Sequence, residues 1–193
     1  MIQLYIEHHV LSGDGDVEVL HVAPEFGLYR WLSSQPAIRY TGSDIDATRY
    51  RHIDNVRTAD LTALPFESEQ FDLVICSHVL EHVPDDGTAM AEIRRVLRPD
   101  GRALLLVPFA TDGGGTDEDL TVTDPEERER RFGQHDHVRL YSPEDFISRL
   151  TDAGFEVTTF APFDEYPGLA DEHHLNPDEV LPVGLVGGAG ARC

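Results

Sequence analysis

Residues 71–108 read FDLVICSHVLEHVPDDGTAMAEIRRVLRPDGRALLLVP, and this stretch decides the fold. Residues 73–76 form a short apolar run with no polar alternation, the pattern of a parallel strand covered on both faces. From about Asp86 the period changes: Ala89, Met90, Ile93, Val96 and Leu97 recur at three- and four-residue steps, which gives one apolar helical face. Arg94, Arg95 and Arg98 suit the negative end of that helix. Pro99-Asp100-Gly101 then predicts a turn, and residues 103–107 a second buried strand. A helical crossover between two such strands makes them parallel and right-handed. In an open parallel sheet the ligand sits beyond the carboxyl ends of the strands. Ser77, His78 and the segment to His82 occupy that place, so the chemistry is expected there.

A chain of 193 residues is expected to be one α/β domain, doubly wound and mostly parallel, with a core of its own. Its formal net charge is -21, and all fifteen basic residues are Arg, with no Lys. Such a surface repels phosphate backbones, which argues against nucleic acid as a partner. The acidic excess resembles that of cytosolic proteins from salt-loving microbes, in which high salt screens the self-repulsion. Two cysteines, Cys76 in a predicted strand and Cys193 near the end, make no disulfide framework, consistent with a reducing cytosol. The start, MIQLYIEHHV, is too polar for a signal peptide. No apolar run approaches the ~18 residues that a membrane span needs. The expectation is a cytoplasmic protein.

Residues 1–11 predict a short amphipathic helix on the edge of the domain, with His8 and His9 in solvent. Ser12-Gly13-Asp14-Gly15-Asp16 is a polar connector; it lacks the downstream Glu of a calcium loop. Residues 17–22 predict the first strand, followed by Ala23-Pro24-Glu25-Phe26-Gly27 and a helix. A strand, a tight turn and a helix N-terminus make a cradle for polar or anionic groups. Residues 38–41 predict the second strand, with Asp44 just beyond it. A carboxylate there suits the hydroxyls of a ribose, the alternative being a plain Asx turn or N-cap, and Gly42 permits close backbone approach. Residues 56–59 predict a third strand that leads to Asp60 and Leu61.

At this point ADLTALPFESEQFDLVICSHVLEHVPDDGTAMAEIRRVLRPDGRALLLVP resembles the central block of class I S-adenosylmethionine-dependent methyltransferases, the type-11-like small-molecule branch. The resemblance extends over about residues 17–157. It implies a Rossmann-like sheet closed by an antiparallel edge strand, with S-adenosylmethionine as cofactor. It places His21, Ala23, Glu25 and Gly27 in the first-strand loop, where His21 stands at a commonly acidic position and Ala23 and Glu25 replace glycines. It implies that Asp44 holds the ribose, Ile45 the adenine face, Asp60 the adenine amine and Leu61 a backbone contact, with Ser77 near the methionine end. A nicotinamide-binding dehydrogenase would need the full glycine fingerprint after Val22, which is absent.

Residues 109–141 form the least regular stretch and are expected to be a lid inserted after the fifth strand, on the cofactor side of the sheet. Gly113-Gly114-Gly115 is a hinge within it, and residues 126–131 a charged helical piece. The run FGQHDHVR resembles a motif of a methyltransferase subgroup associated with glycan and secondary-metabolite genes, which implies a small-molecule or glycan-type acceptor methylated on O or N. Methyl transfer from a sulfonium is an in-line displacement in which the cofactor carries the activation. An oxygen or nitrogen nucleophile also needs a base, a role that suits His. The candidates are His135 and His137 in the lid and His78 near the fourth strand, with Arg139 to orient a substrate carboxylate and His82 read as structural. A metal reading would use His135, Asp136 and His137 with His173, His174 and Asp171, but nothing in the sequence gathers these, so no metal is assigned. The rival of a different class is a non-catalytic protein that keeps the fold and only binds a ligand. Residues 142–153 predict the last helix, 155–160 the next strand and 179–186 the closing edge strand, where Pro182 is tolerable only at an edge.

Overall fold

The computed structural model describes residues 1–13, 15–111 and 113–187; Cys193 and most of the glycine-rich tail lie outside them. The elements run α1 (Ile2–His9), β1 (Val17–Val22), α2 (Phe26–Ser34), β2 (Ile38–Asp44), β3 (Val56–Thr58), β4 (Phe71–Ser77), α3 (Asp86–Val96) and β5 (Leu97–Leu106). After these come β6 (Asp117–Glu118), α4 (Pro125–Phe132), β7 (Arg139–Leu140), α5 (Pro143–Asp152), β8 (Glu156–Phe160), α6 (Pro162–Glu165), α7 (Pro167–Glu172) and β9 (Leu181–Leu185).

One sheet holds seven strands in the order β3-β2-β1-β4-β5-β9-β8. The first five are parallel to their neighbours, and β9 runs antiparallel to both β5 and β8. The strand order reverses between β1 and β4, which opens a crevice at their carboxyl ends.

The apolar run of β4 is explained by cover on both faces. Val74 and Cys76 pack with Ala89, Met90, Ile93, Phe146 and Leu150 from α3 and α5. Leu73 and Ile75 point the other way, into a cluster with Leu4, Ile6, Leu32 and Phe160. α1 therefore covers the middle of a sheet face instead of an edge: Tyr5 is buried, and Arg102 on β5 donates to its hydroxyl and to the His9 carbonyl. His8 and His9 are not simply in solvent, since His8 stacks on Tyr166 and His9 on Tyr5.

Helix starts follow their local chemistry. Asp85 caps α3 by accepting from Thr88 N, Asp124 caps α4 from Glu127 N, and Ser142 caps α5 from Asp145 N. Pro125 and Pro143 take first-turn positions in α4 and α5, where no donor is lost. The turn at Pro99-Asp100-Gly101 lies within β5, whose register against β4 slips between the pairs Phe71–Leu97 and Leu73–Arg102. A side chain at Gly101 would stand 2.8 Å from the Arg98 carbonyl, so the bulge requires glycine.

The sheet closes on an antiparallel edge, but β8 is the outermost strand and the 181–185 segment is threaded inside it. Pro182 is accommodated because the β5 ladder reaches only Val183, which leaves β8 as its one paired neighbour. Between β5 and α5, β6 and β7 form a two-stranded ribbon with α4 between them in sequence. No helix among the described residues is long and apolar enough to cross a membrane.

Candidate active site

A cleft of about 470 Å³ opens at the carboxyl ends of β1, β2 and β4. Val22 and Ala23 form its floor, Ser43, Asp44 and Ile45 one wall, and Ala59 to Thr62 with Leu64 another. The loop after β4 closes it with Val79 and the run from His82 to Asp85. Asp44 is nearly buried and already oriented: Oδ1 accepts from Asp46 N at 2.8 Å and Oδ2 from the Tyr50 hydroxyl at 3.2 Å. A carboxylate has about four acceptor positions, so capacity for a diol remains. The Tyr50 phenol is pushed up to about 12, first by burial and then by the Asp44 charge.

Ile45 is 65% exposed at the rim, an apolar surface offered to a flat ring. Asp60 is held in a turn by Thr62, whose N and Oγ1 both donate to Oδ1 at 2.8 and 2.7 Å. These bonds lower its carboxyl below the usual range. Leu61 is buried in the wall beside it. Gly42 does not touch the cleft. A Cβ there would meet Val56 at 2.9 Å, so glycine serves the packing of β2 on β3.

The first-strand loop is strained and braced. Ala23 has φ 48°, a left-handed conformation usually left to glycine. His21 is fully buried and does not line the cleft. Its Nε2 donates to Glu25 Oε2 at 2.7 Å and its Nδ1 lies 3.3 Å from the Tyr40 hydroxyl. Burial raises the Glu25 carboxyl, but the hydrogen bond and charge of His21, with a contribution from Ser77, outweigh it and leave the group below its usual range. Gly27 sits exposed in the first turn of α2, where a Cβ would find nothing within 4 Å, and it does not line the cleft.

A second cleft of about 400 Å³ shares His82 with the first and is lined by His78, Glu81, Phe132, Gln134, His137 and Leu140 among others. His78 follows β4 with φ 54° and stands half exposed, its Nδ1 3.5 Å from Glu81 Oε1. That pairing raises its imidazole above the ordinary value. His137 is buried, with Nδ1 3.0 Å from the Phe132 carbonyl. His135, expected to serve as base, is exposed and lines neither cleft.

Arg139 is also placed differently from expectation. It is fully buried, with Nη1 donating to the carbonyls of Leu80 and Val83 and Nη2 to Pro84 O and Glu118. These bonds leave its guanidinium tying the 107–141 segment to the loop after β4, not free for a substrate carboxylate. Val138 N adds a bond to Glu81 O at 3.0 Å. Of the residues weighed for a metal, His173 lies by α1 in a separate hollow with Met1 and Glu7, so the six do not converge.

Sequence reasoning missed Glu81, which is completely buried. The signal available was a Glu flanked by Val79, Leu80 and Val83, in a loop expected to face the ligand side. It also missed Val83, Pro84 and Asp85 as cleft wall, because the capping role of Asp85 alone accounts for its presence.

Residues 26–105, from α2 through β5, match the family described as "Methyltransferase domain". The methyltransferase YcgJ of Bacillus subtilis is 38% identical over 68 residues, covering 34% of this chain and 27% of that protein. Its crystal structure superposes with a TM-score of 0.63 at 18% identity, over 96% of this chain and 97% of that one. The arginine-hydroxylase NDUFAF5 of Danio rerio is 31% identical over 155 residues, 72% of this chain and 46% of that protein. The chain thus spans less than half of the length of these two relatives in alignment. The complex between the Haloferax volcanii Trm112 methyltransferase activator and a methyltransferase gives a TM-score of 0.65 at 18% identity, over 96% and 88% of the two chains. These superpositions show that the chain shares the fold of those structures.

Proposed function

We propose that this chain is a class I, S-adenosylmethionine-dependent methyltransferase, in line with the family match over residues 26–105, and that it transfers a methyl group to O or N of a small-molecule or glycan-type acceptor. Asp44 holds the ribose hydroxyls, Ile45 covers the adenine and Asp60 accepts from its amine, with Leu61 supplying a backbone contact. The methionine end lies toward Ala23, Gly27 and Ser77, where the Glu25 carboxylate, held ionised by His21, faces the ammonium. The observation that carries this reading is the pair of adjoining clefts. One presents oriented carboxylates and an apolar rim; the other presents imidazoles.

The chemistry asks little beyond position. The nucleophile, the methyl carbon and the sulfur must be collinear and near contact, which supplies much of the rate. The acceptor occupies the second cleft, whose size suits a small molecule. Its proton leaves to His78, which lines that second cleft and is half exposed. The protein works in the cytoplasm of a salt-adapted cell, in keeping with its charge of -21.

Calorimetric titration with S-adenosylhomocysteine, at low and at molar salt, tests the reading. Saturable binding that weakens by roughly 10- to 100-fold in Asp44→Ala is expected, the loss of one or two charge-assisted hydrogen bonds. No binding at any salt would overturn the cofactor assignment. Binding without methyl release to any hydroxyl or amine acceptor would favour a non-catalytic protein.

A further inference from the structure

The wall between the two clefts contains an electrostatic problem. Glu81 is completely buried, and neither carboxylate oxygen has a hydrogen-bond partner. An uncompensated buried carboxylate is strongly destabilising. The groups around it are imidazoles: His78 Nδ1 at 3.5 Å and His137 Nε2 at 4.0 Å from Oε1. His82 packs edge-on to His137, ring centroids 4.6 Å apart. One ligand atom each from Glu81, His82 and His137 can be chosen so that all lie within 4.8 Å of one another.

From this we propose that Glu81, His82 and His137 form a binding site for one divalent transition-metal ion. The orientation of the two imidazoles supports it. A carbonyl can only accept, so His137 Nδ1 must carry the proton that it gives to Phe132 O, which leaves the Nε2 lone pair turned toward Glu81. His82 Nδ1 lies 3.4 Å from the Asp136 carboxylate, the outer partner that metal-bound imidazoles commonly use, and Nε2 serves as its ligand atom. The ribbon holds the third ligand in register, because Val138 N bonds Glu81 O and Arg139 grips the carbonyls of Leu80, Val83 and Pro84.

Two imidazoles with one carboxylate select ions such as Zn²⁺, Co²⁺ or Mn²⁺ over Mg²⁺ and Ca²⁺, which prefer all-oxygen sites. Three protein ligands leave coordination positions open toward the second cleft. Resting on the methyl-transfer reading, those positions receive the acceptor oxygen, so that the acceptor class is an alcohol, diol or phenol. There the ion would acidify the acceptor hydroxyl, whose proton would pass to His78 in the same cleft while its oxygen takes the methyl carbon. The carbon–sulfur bond breaks with its electron pair staying on sulfur, leaving a methyl ether and the neutral thioether.

The test uses the full chain stripped with chelator and titrated with Zn²⁺, and with Co²⁺ as a spectroscopic probe, in about 1 M KCl to screen weak surface binding. The expected result is a single ion per chain, with Co²⁺ visible bands of a low-coordinate nitrogen and oxygen site. Affinity should fall at least about 100-fold in His82→Gln and His137→Gln, and stay within about twofold in His135→Gln. His82 is part-exposed, so His82→Gln remains decisive even where Glu81→Gln fails to fold. Binding that is equal in His82→Gln, His137→Gln and the parent, or no stoichiometric binding, overturns the site. S-adenosylhomocysteine titrated into the same samples separates the two readings: its failure to bind sinks methyl transfer and leaves the ion result standing.

Discussion

Single residues in the first-strand loop carry the sharpest consequences. Ala23 occupies a backbone conformation with φ 48°, where a Cβ costs on the order of 1 kcal/mol. Ala23→Gly should therefore raise thermal stability by up to about 1 kcal/mol, even after the extra unfolded-state entropy of glycine. A melting temperature that falls instead would show that the alanine methyl packs to greater effect than its strain. His21→Leu should loosen cofactor binding without touching the cleft, because Glu25 loses the 2.7 Å hydrogen bond that orients it; titration against S-adenosylhomocysteine reads this directly. The strand-end position pointed to Asp44, and the family resemblance implied Ile45, Asp60 and Leu61; all four line the cleft. The sequence could not place His135 or Arg139. Both sit in an irregular run, and only the tertiary path of the 107–141 segment separates an exposed imidazole from a buried guanidinium.

Among the elements, the ribbon of β6 and β7 is joined to α5 by an ion pair. Glu118 accepts from Arg139 and Arg149, and Arg149 also reaches Asp86. Burial alone would raise the Glu118 carboxyl, but the two guanidiniums outweigh it and leave the group below its usual range. A carboxyl lowered in the folded state stabilises above its unfolded value of about 4.3 and ceases to do so as pH falls through the lowered folded value. Glu118→Gln should accordingly cost ~1–3 kcal/mol near neutrality. The gap between variant and parent should close as pH drops below about 4. Melting curves across that range test both parts, and a gap that widens in acid would refute the sign. The main helices and strands were legible because caps, prolines and the shift from continuous to 3.6-residue apolar spacing are local signals, whereas the short β6, β7, α6 and α7 carry no such pattern and were not read. The placement of β9 inside β8 was not legible, since strand order depends on a connection that propensity does not see.

For the molecule as a whole, the dominating quantity is a formal charge of -21 carried with no Lys. Self-repulsion opposes the compact state and is screened by ions. The melting temperature should climb by several degrees from ~0.1 M to ~2 M KCl; a flat or falling curve would remove the salt-adaptation reading. The sheet order also has a bearing on how the chain is made. β5 finds its outer neighbour only in the 181–185 strand, and β8 reaches the sheet solely through that same strand. A ribosome that has released everything up to residue 180 has therefore delivered a domain whose β5 still shows a bare edge, open to any passing extended peptide. A chain stopped at that point should precipitate or co-purify with chaperones, whereas the same stop just after residue 187 should not. Residues 181–185 act as a latch.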